Sequence, residues 1–209
     1  MARIGPNSLI QTLRALAELE PTDVQQRVSD RAALPEPLPP GMVPEALFVK
    51  LVRALREELP PARSEAVLRR SGSYTAAYVA QNRIPAPFRG LLRVLPARAG
   101  VPMLIAAFRR HAWTFAGAGR FSVEGTLLGP GTLLLEGCPT CRAGSAEGLG
   151  HVGVLAGAYY EAAFEGLLRL AAPRLHVREV ACQAAASPVC RFLLTFDDSL
   201  VAGDPCASS

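Results

Sequence analysis

Four of the five cysteines in this chain lie between Thr132 and Phe196, at positions where they could bind one metal ion together. Cys138 and Cys141 form a Cys-x-x-Cys motif directly after the apolar segment TLLLEG. Cys182 and Cys190 flank a short turn further along the chain. Cys-x-x-Cys is a common spacing in tetrahedral zinc sites, and two further thiolates would complete the coordination. The spacing therefore predicts a structural zinc site with Cys138, Cys141, Cys182 and Cys190 as ligands.

Two other interpretations of these cysteines stay open. Seven residues separate Cys182 from Cys190, where two would be usual, and His151 could replace one thiol as a ligand. In the second interpretation no metal is bound: Cys182 and Cys190 are small apolar core residues, and Cys138 and Cys141 are a reducible pair. The fifth cysteine, Cys206, lies in a polar tail and is expected to have no role.

The segments around the cysteines predict how the thiols would meet. HVREVACQ and VCRFLLTF are predicted to be strands, and so are the residues around Phe121 and the segment TLLLEG. Each pair is joined by turn residues and should form an antiparallel hairpin, with Cys182 and Cys190 at the same end of the sheet. A long apolar helix, GLGHVGVLAGAYYEAAFEGLLRLAA, is predicted between the hairpins. We therefore expect the four thiols at one edge of a four-stranded antiparallel sheet.

The first half of the chain is predicted to be helical. Apolar residues recur every three or four positions in residues 7–20, after Pro44, in residues 62–81 with an interruption at Gly72, and in residues 101–115. Asn7 or Ser8 is the expected N-cap of the first helix. Helices beside an antiparallel sheet indicate an α+β fold. The segment PEPLPPGMVP holds five prolines and is predicted to be an extended linker. The predicted division is an N-terminal helical extension with a linker (1–40), the helical part of the core (41–116), a second part (117–198) and a flexible tail (199–209).

A second group of residues could bind a ligand. Arg109, Arg110, His111 and Trp113 follow one another at the end of a predicted apolar helix. The arginines could bind the carboxylates of a flat hydrophobic ligand, while His111 coordinates its central metal. The alternative is a helix C-terminus stabilised by positive charge, with Trp113 in the core.

Other functional classes are disfavoured by the sequence. The glycines Gly148, Gly150 and Gly153 match a dinucleotide-binding pattern, but the pattern does not directly follow a strand, so close packing is the better interpretation. No acid/base pair, nucleophile elbow or phosphate loop is recognised. The net charge of +4 comes from basic residues found singly or in pairs, which does not favour nucleic acid as a partner. Polar or charged residues recur every few positions at the N-terminus, and the most hydrophobic long segment, His151 to Ala172, contains Glu161, Glu165 and Arg169. No secretory signal or transmembrane span is therefore predicted, and the expected location is cytoplasmic.

Three segments, ARIGPNSLIQTL, GLGHVGVLAGAYYEAAFEGLL and HVREVACQAAASPVCRF, resemble a known family. This is the vinyl-reductase domain family of bacteriochlorophyll biosynthesis in purple bacteria, traditionally labelled 4-vinyl reductases. The family's domain is similar to the part of this chain from Gly117 to about Asp197. Its marks are the Glu-x-x-Cys of Glu179 and Cys182, and the later Cys190.

The resemblance implies a ligand-binding fold like that of vesicle-tethering (TRAPP) subunits, with an antiparallel sheet flanked by helices. It also implies a homodimer, an apolar channel for a hydrophobic small molecule, and metal-binding cysteines at Cys138, Cys141, Cys182 and Cys190. The traditional activity is reduction of a vinyl group of a divinyl chlorophyll precursor. Such a reaction needs a redox cofactor, and no NAD(P) or flavin site is identified in the sequence.

The function expected from the sequence is therefore that of an accessory protein. It would bind a magnesium tetrapyrrole, either Mg-protoporphyrin or protochlorophyllide, and assist its transfer between pathway enzymes. The expected partners are magnesium chelatase and the Mg-protoporphyrin methyltransferase, and the expected location includes the periphery of the photosynthetic membrane. The alternatives are an 8-vinyl (4-vinyl) reductase of divinyl protochlorophyllide and a pigment-free scaffold for pathway enzymes.

Overall fold

The computed structural model describes residues 2–125, 131–143 and 156–196. Within these ranges the fold is α+β, with helices packed around an antiparallel sheet, as predicted. The helices are α1 (Asn7–Leu19), α2 (Thr22–Ala32), α3 (Glu45–Glu58), α4 (Pro61–Asn82), α5 (Ala86–Val94), α6 (Ala97–His111), α7 (Pro139–Arg142) and α8 (Ala158–Leu168). The strands are β1 (Arg3–Ile4), β2 (Val43–Pro44), β3 (Arg120–Glu124), β4 (Thr132–Glu136), β5 (Leu175–Ala181) and β6 (Cys190–Phe196).

The main sheet has four antiparallel strands in the order β3-β4-β6-β5. The two predicted hairpins are both present, and β4 and β6 join them in the centre of the sheet. Leu135 pairs with Cys190, so the C-terminal end of β4 lies beside the N-terminal end of β6. This register places the segment after β4 and the turn between β5 and β6 at the same end of the sheet.

The N-terminal helices share one hydrophobic core with the sheet. Leu9 and Leu16 of α1 and Val28 of α2 are buried in the same cluster of side chains as Phe192 of β6. Helix α1 begins at Asn7, but Pro6 occupies the N-cap position and neither predicted cap residue caps the helix. The proline-rich segment ends in β2, which pairs with β1. The division of the chain into separate parts stays a prediction.

Helix α4 crosses α8 at a very close approach. The predicted interruption at Gly72 is wrong, because α4 is continuous from Pro61 to Asn82. A Cβ atom on Gly72 would lie 2.2 Å from the carbonyl oxygen of Tyr159 and 3.0 Å from the Cβ of Ala162. Gly72 is therefore needed because the two helices touch there.

Aromatic side chains fill the space between α6, α8 and the sheet. Phe164 of α8 lies within 6 Å of Phe108, Phe115, Phe121 and Phe192, measured between ring centroids. Trp113 is outside this cluster and 57% exposed, so its interpretation as a core residue is wrong. The predicted long helix is shorter than expected in its described part, because α8 begins at Ala158 after the N-cap Gly157 and ends at Leu168. Residues 148–155 lie outside the described residues. None of the helices in the described ranges is long and apolar enough to cross a membrane.

Candidate metal centre

Three thiols and one carboxylate meet at the end of the sheet. The Sγ atom of Cys141 is 3.3 Å from that of Cys182 and 3.2 Å from that of Cys190. Together with an oxygen of Glu179, these atoms all lie within 4.8 Å of one another, and all four residues are buried. Sulfur and carboxylate ligands around one point, at this separation, suit a tetrahedral zinc ion.

A tight turn after β4 positions Cys138 and Cys141 at this end of the sheet. Gly137 has a φ of +68°, a conformation that favours glycine, and it leads directly to Cys138 and to α7. Helix α7 is a single turn that directs Cys141 towards the start of β6. The Cys-x-x-Cys motif therefore lies on the segment that the sheet register brings beside Cys190.

A β-bulge brings Glu179 and Cys182 to the same site. Residues three apart in a regular strand point to opposite faces of the sheet. In β5, Val177 and Glu179 are buried and Val180 is half exposed, but the pairing with β6 shifts between Glu179 and Ala181. The extra residue of a bulge reverses the alternation. Cys182 is consequently buried on the same side as Glu179.

Cys138 is also buried beside the cluster. Its Sγ lies 3.0 Å from the hydroxyl oxygen of Thr140, and its backbone N–H donates to the side-chain oxygen of Gln183. The structure thus brings all four predicted cysteines together, but the four closest donors are three thiols and Glu179. The set of four thiol ligands stays a prediction, and Glu179 is a competing fourth ligand.

The thiols cannot all ionise without a cation between them. Contacts with the thiols of Cys138, Cys141 and Cys182, together with burial, raise the pKa of Cys190 far above its usual range. Neighbouring thiols that share one buried site titrate as a unit, and a bound divalent cation removes the repulsion among the thiolates. Such a cluster is therefore suited to hold a cation.

Backbone amides and one arginine surround the cluster. The N–H groups of Ala156 and Gln183 donate to the sulfur atoms of Cys182 and Cys190, at 3.3 and 3.4 Å. The guanidinium of Arg56 donates to the carbonyl oxygen of Thr140 at 2.7 Å, and burial lowers its pKa while nearby thiols and Glu179 raise it. These donors and this positive charge offset the negative charge that three thiolates and a carboxylate would carry.

Glu179 is held by the start of α8. The N–H of Gly157 donates to its carboxylate at 2.7 Å, and a Cβ atom on Gly157 would lie 2.6 Å from the carboxylate carbon. Burial, followed by the charge of Cys182, raises the pKa of Glu179 to about 8. In the metal-free protein, this carboxyl is therefore protonated at neutral pH.

The raised pKa of Glu179 predicts how the stability of the metal-free protein depends on pH. The unfolded chain would release this proton near pH 4.5, and the folded chain near pH 8. The folded state binds more protons between these values, so the free energy of unfolding should fall as the pH rises, by about 2 kcal/mol between pH 5.5 and 7.5. Urea unfolding with a chelator present measures this slope. Glu179→Gln should remove most of it, and an unchanged slope in that variant would contradict the assignment.

Glu179 and Arg56 were not predicted from the sequence to belong to the metal centre. Glu179 was visible only as part of the Glu-x-x-Cys pattern, because regular alternation places it on the face opposite to Cys182. Arg56 lies 84 residues from the carbonyl that it contacts, and no local pattern connects the two. Three of the sequence predictions lie outside the described residues: those on His151, on the glycines of the Gly148–Gly153 pattern and on Cys206.

The second predicted group lies on the surface. Arg109, Arg110 and His111 are exposed at the C-terminal end of α6, and Trp113 is exposed in the turn that follows. A cavity of about 290 Å³ lies elsewhere, beside α3 and α7, and Glu45, Lys50, Arg53 and Arg142 are among its lining residues. The role of the four α6-end residues in ligand binding stays a prediction.

Two bacterial proteins are similar to this chain over nearly its whole length. The bacteriochlorophyll synthase 23 kDa chain of Cereibacter sphaeroides is 36% identical over 195 residues, which cover 92% of this chain and 90% of the relative. The protein of the same name from Rhodobacter capsulatus is 36% identical over 194 residues, covering 92% and 86%. A scan against protein-family models found no match.

Solved structures of other proteins share the fold. An H-NOX protein from K. algicida, in its Fe(II) unliganded state, superposes with a TM-score of 0.57 at 11% identity and covers 94% of this chain and 98% of its own. The phenol-responsive sensory domain of the transcription activator PoxR, solved with phenol, superposes with a TM-score of 0.53 at 15% identity. The match covers 84% of this chain and 91% of the sensory domain. The fold likeness agrees with the α+β architecture, and the sequence identities establish the relationship. This chain belongs to the family of the bacteriochlorophyll synthase 23 kDa chains.

Proposed function

We propose that this protein is an accessory protein of bacteriochlorophyll synthesis that binds a magnesium tetrapyrrole intermediate and assists its transfer between enzymes. The observation that carries the proposal is the similarity, over nine-tenths of the chain, to two bacteriochlorophyll synthase chains. Within that pathway, we propose that it corresponds to bacteriochlorophyll biosynthesis protein J, on the resemblance of the three segments named in the sequence analysis. The proposed pigments are Mg-protoporphyrin and protochlorophyllide.

The metal centre has a structural role in this proposal. Cys141, Cys182, Cys190 and Glu179, with Cys138 beside them, would form a closed shell around a zinc ion and leave no position for a substrate. The shell is buried and joins α7 to the end of β5 and the start of β6. Zinc would therefore fix the end of the sheet and would not take part in a reaction. A vinyl reduction would need electrons from a redox cofactor, which zinc does not supply.

The proposed pigment contacts are the exposed residues at the end of α6. His111 would be an axial ligand of the central magnesium, Arg109 and Arg110 would bind the pigment carboxylates, and Trp113 would pack on the ring. Their exposure makes them accessible to a large flat ligand. The proposed partners are magnesium chelatase and the Mg-protoporphyrin methyltransferase, and the proposed assembly is a homodimer at the periphery of the photosynthetic membrane.

An absorbance titration tests the proposal. The purified protein is titrated with Mg-protoporphyrin and with divinyl protochlorophyllide, with and without NADPH, and the pigment is extracted for product analysis. A saturable shift of the Soret band without conversion supports a carrier. Conversion to the monovinyl product in proportion to the protein would identify a reductase instead, and no spectral change with either pigment would favour the pigment-free scaffold.

His111 gives the corresponding prediction. His111→Ala should weaken pigment binding by roughly tenfold or more, because the magnesium loses its axial ligand. The control is His176→Ala, which removes the other described histidine, on β5, where its Nδ1 contacts the guanidinium of Arg169. An equal affinity in the wild-type protein and in H111A would remove His111 from the proposed site.

A further inference from the structure

One long segment of the chain carries the entire excess of positive charge. Residues 66–123 contain nine arginines and no aspartate or glutamate, and we call them the arginine segment. The rest of the chain holds 13 of the 22 basic residues and all 18 acidic residues, so it is acidic. Charge is therefore distributed unevenly along the chain, although the net charge is only +4.

Four arginines of the segment are used within the fold. Arg69 pairs with Glu65 and Glu161, Arg70 pairs with Glu18, and Arg120 pairs with Glu136. Arg89 donates to three backbone carbonyls near the end of α4. The other five arginines are exposed and form no salt bridge with any carboxylate of the described residues. They are Arg83, Arg93, Arg98, Arg109 and Arg110.

The same segment exposes large apolar side chains. Val94 is 78% exposed, Trp113 57%, Leu91 43% and Met103 37%. The described residues contain only three other exposed large hydrophobic side chains, Ile10, Leu19 and Val180. Exposed apolar groups and unpaired arginines are therefore concentrated in the same part of the chain.

The exposed residues of α5 and α6 follow the helical period. On α5, Pro87, Gly90, Leu91 and Val94 are exposed at intervals of three or four residues, so the solvent side of this helix is apolar. On α6, Met103, Ala106, Ala107 and Arg110 are exposed with the same spacing. Two residues join the helices. An apolar stripe flanked by arginines is typical of helices that lie in the interface of an anionic membrane.

We infer that the exposed faces of α5 and α6 form a docking surface for a membrane that contains anionic lipids. The unpaired arginines contact the phosphate groups, and Leu91, Val94, Met103 and Trp113 enter the boundary between headgroups and acyl chains. This inference deepens the membrane-peripheral location in the proposed function by naming the surface. Arg109, Arg110 and Trp113 belong to both proposals. Leu91, Val94, Arg93 and Arg98 belong only to the docking surface, so substitutions there test it separately from pigment binding.

Membrane association has a built-in reporter. Trp113 is the only tryptophan in the chain and is 57% exposed, so its emission reports directly on this surface. The pigment-free full-length protein is mixed with vesicles of phosphatidylcholine, with or without phosphatidylglycerol, and binding is measured by flotation. We expect binding to the anionic vesicles only, weakened by salt, with a blue shift of the Trp113 emission and quenching by brominated lipids.

Two variants and two matched controls test the surface itself. Leu91→Ser/Val94→Ser should reduce binding, and Arg93→Glu/Arg98→Glu should reduce it by roughly fivefold or more for each arginine. The apolar control is Ile10→Ser/Leu19→Ser on α1, where the exposed fractions are 44% and 42%. The charge control is Lys50→Glu on α3. Circular dichroism and thermal unfolding establish that each variant is folded.

The outcomes separate this inference from its rivals. Flotation that is lost in the α5 and arginine variants and kept in both controls supports the docking surface. The inference is wrong if no vesicle is bound, if the controls lose binding equally, or if vesicles bind without a change in Trp113 emission. A charge-dependent association with acidic polypeptides alone, without flotation, would also overturn it. The vesicle experiment contains no pigment, and the pigment titration contains no vesicles. A negative result in one experiment therefore does not decide the other.

Discussion

Cys182→Ser is expected to abolish most of the zinc retention after desalting that we predict for the wild-type protein, and to lower the free energy of unfolding by about 4 kcal/mol. The thiol of Cys182 lies 3.3 Å from that of Cys141 and accepts a hydrogen bond from the N–H of Ala156. Its loss would leave the shell with one ligand fewer in a buried site that water cannot easily enter. Zinc analysis and urea unfolding of protein expressed with zinc measure both effects.

The companion substitutions decide which four residues bind the metal. If Glu179 is the fourth ligand, Glu179→Gln should release zinc as Cys182→Ser does, and Cys138→Ser should retain it. The reverse pattern would establish the four-thiol set that the sequence predicts. Zinc retained equally by all single variants would show that the ion is bound elsewhere, and the assignment of this cluster as the metal site would then fail.

Gly72→Ala is expected to destabilise the protein by about 1–3 kcal/mol, although alanine favours helices more than glycine does. The added methyl would lie 2.2 Å from a backbone oxygen of α8, and only a movement of one helix could relieve the overlap. Thermal unfolding should show a lower midpoint at every metal concentration.

Gly90→Ala is the matched control for this substitution. Gly90 is also a helical glycine, in α5, but a Cβ atom there would meet nothing within 4 Å. The substitution should be neutral or stabilise the protein by up to about 1 kcal/mol, since alanine reduces the conformational freedom of the unfolded chain. Equal effects at the two positions would show that helix propensity, and not the contact between α4 and α8, sets the cost.

The local elements were predictable because their patterns are local. The apolar alternation of residues 175–181 and 190–196 predicts the hairpin of β5 and β6, and the prolines near residues 60 and 85 mark the helix boundaries. The position of the thiols at one end of the sheet was predictable from the pairing of the strands, but their close contact also depends on α7 and on the bulge in β5. The position of Trp113 was not predictable, because an aromatic residue at the end of a helix can lie in a core or on a surface. In the structure, phenylalanines fill the aromatic core and Trp113 lies on the surface.

The missed features depend on contacts between distant segments or on irregular backbone. The bulge after Glu179 shifts the pairing by one residue, so regular alternation would place Cys182 on the face opposite to Glu179. Gly72 suggested a helix break because glycine weakens helices. Its actual role, the close contact with α8, depends on a distant segment that the local sequence does not reveal. In the sequence, the basic residues of the arginine segment occur singly or in pairs and suggested no binding surface. A docking surface is inferred only once the structure shows that α5 and α6 expose apolar side chains together with arginines that pair with no carboxylate of the described residues.

The contacts of Cys141 with Cys182 and Cys190 span 41 and 49 residues of chain. A cation bound there would close a loop that contains all of α8, much as a disulfide does, and would reduce the entropy of the unfolded chain. It would also tether both flanks of α8, so that this helix could open to solvent only together with the end of the sheet. Metal binding would then merge α8, β5 and β6 into one cooperative unit.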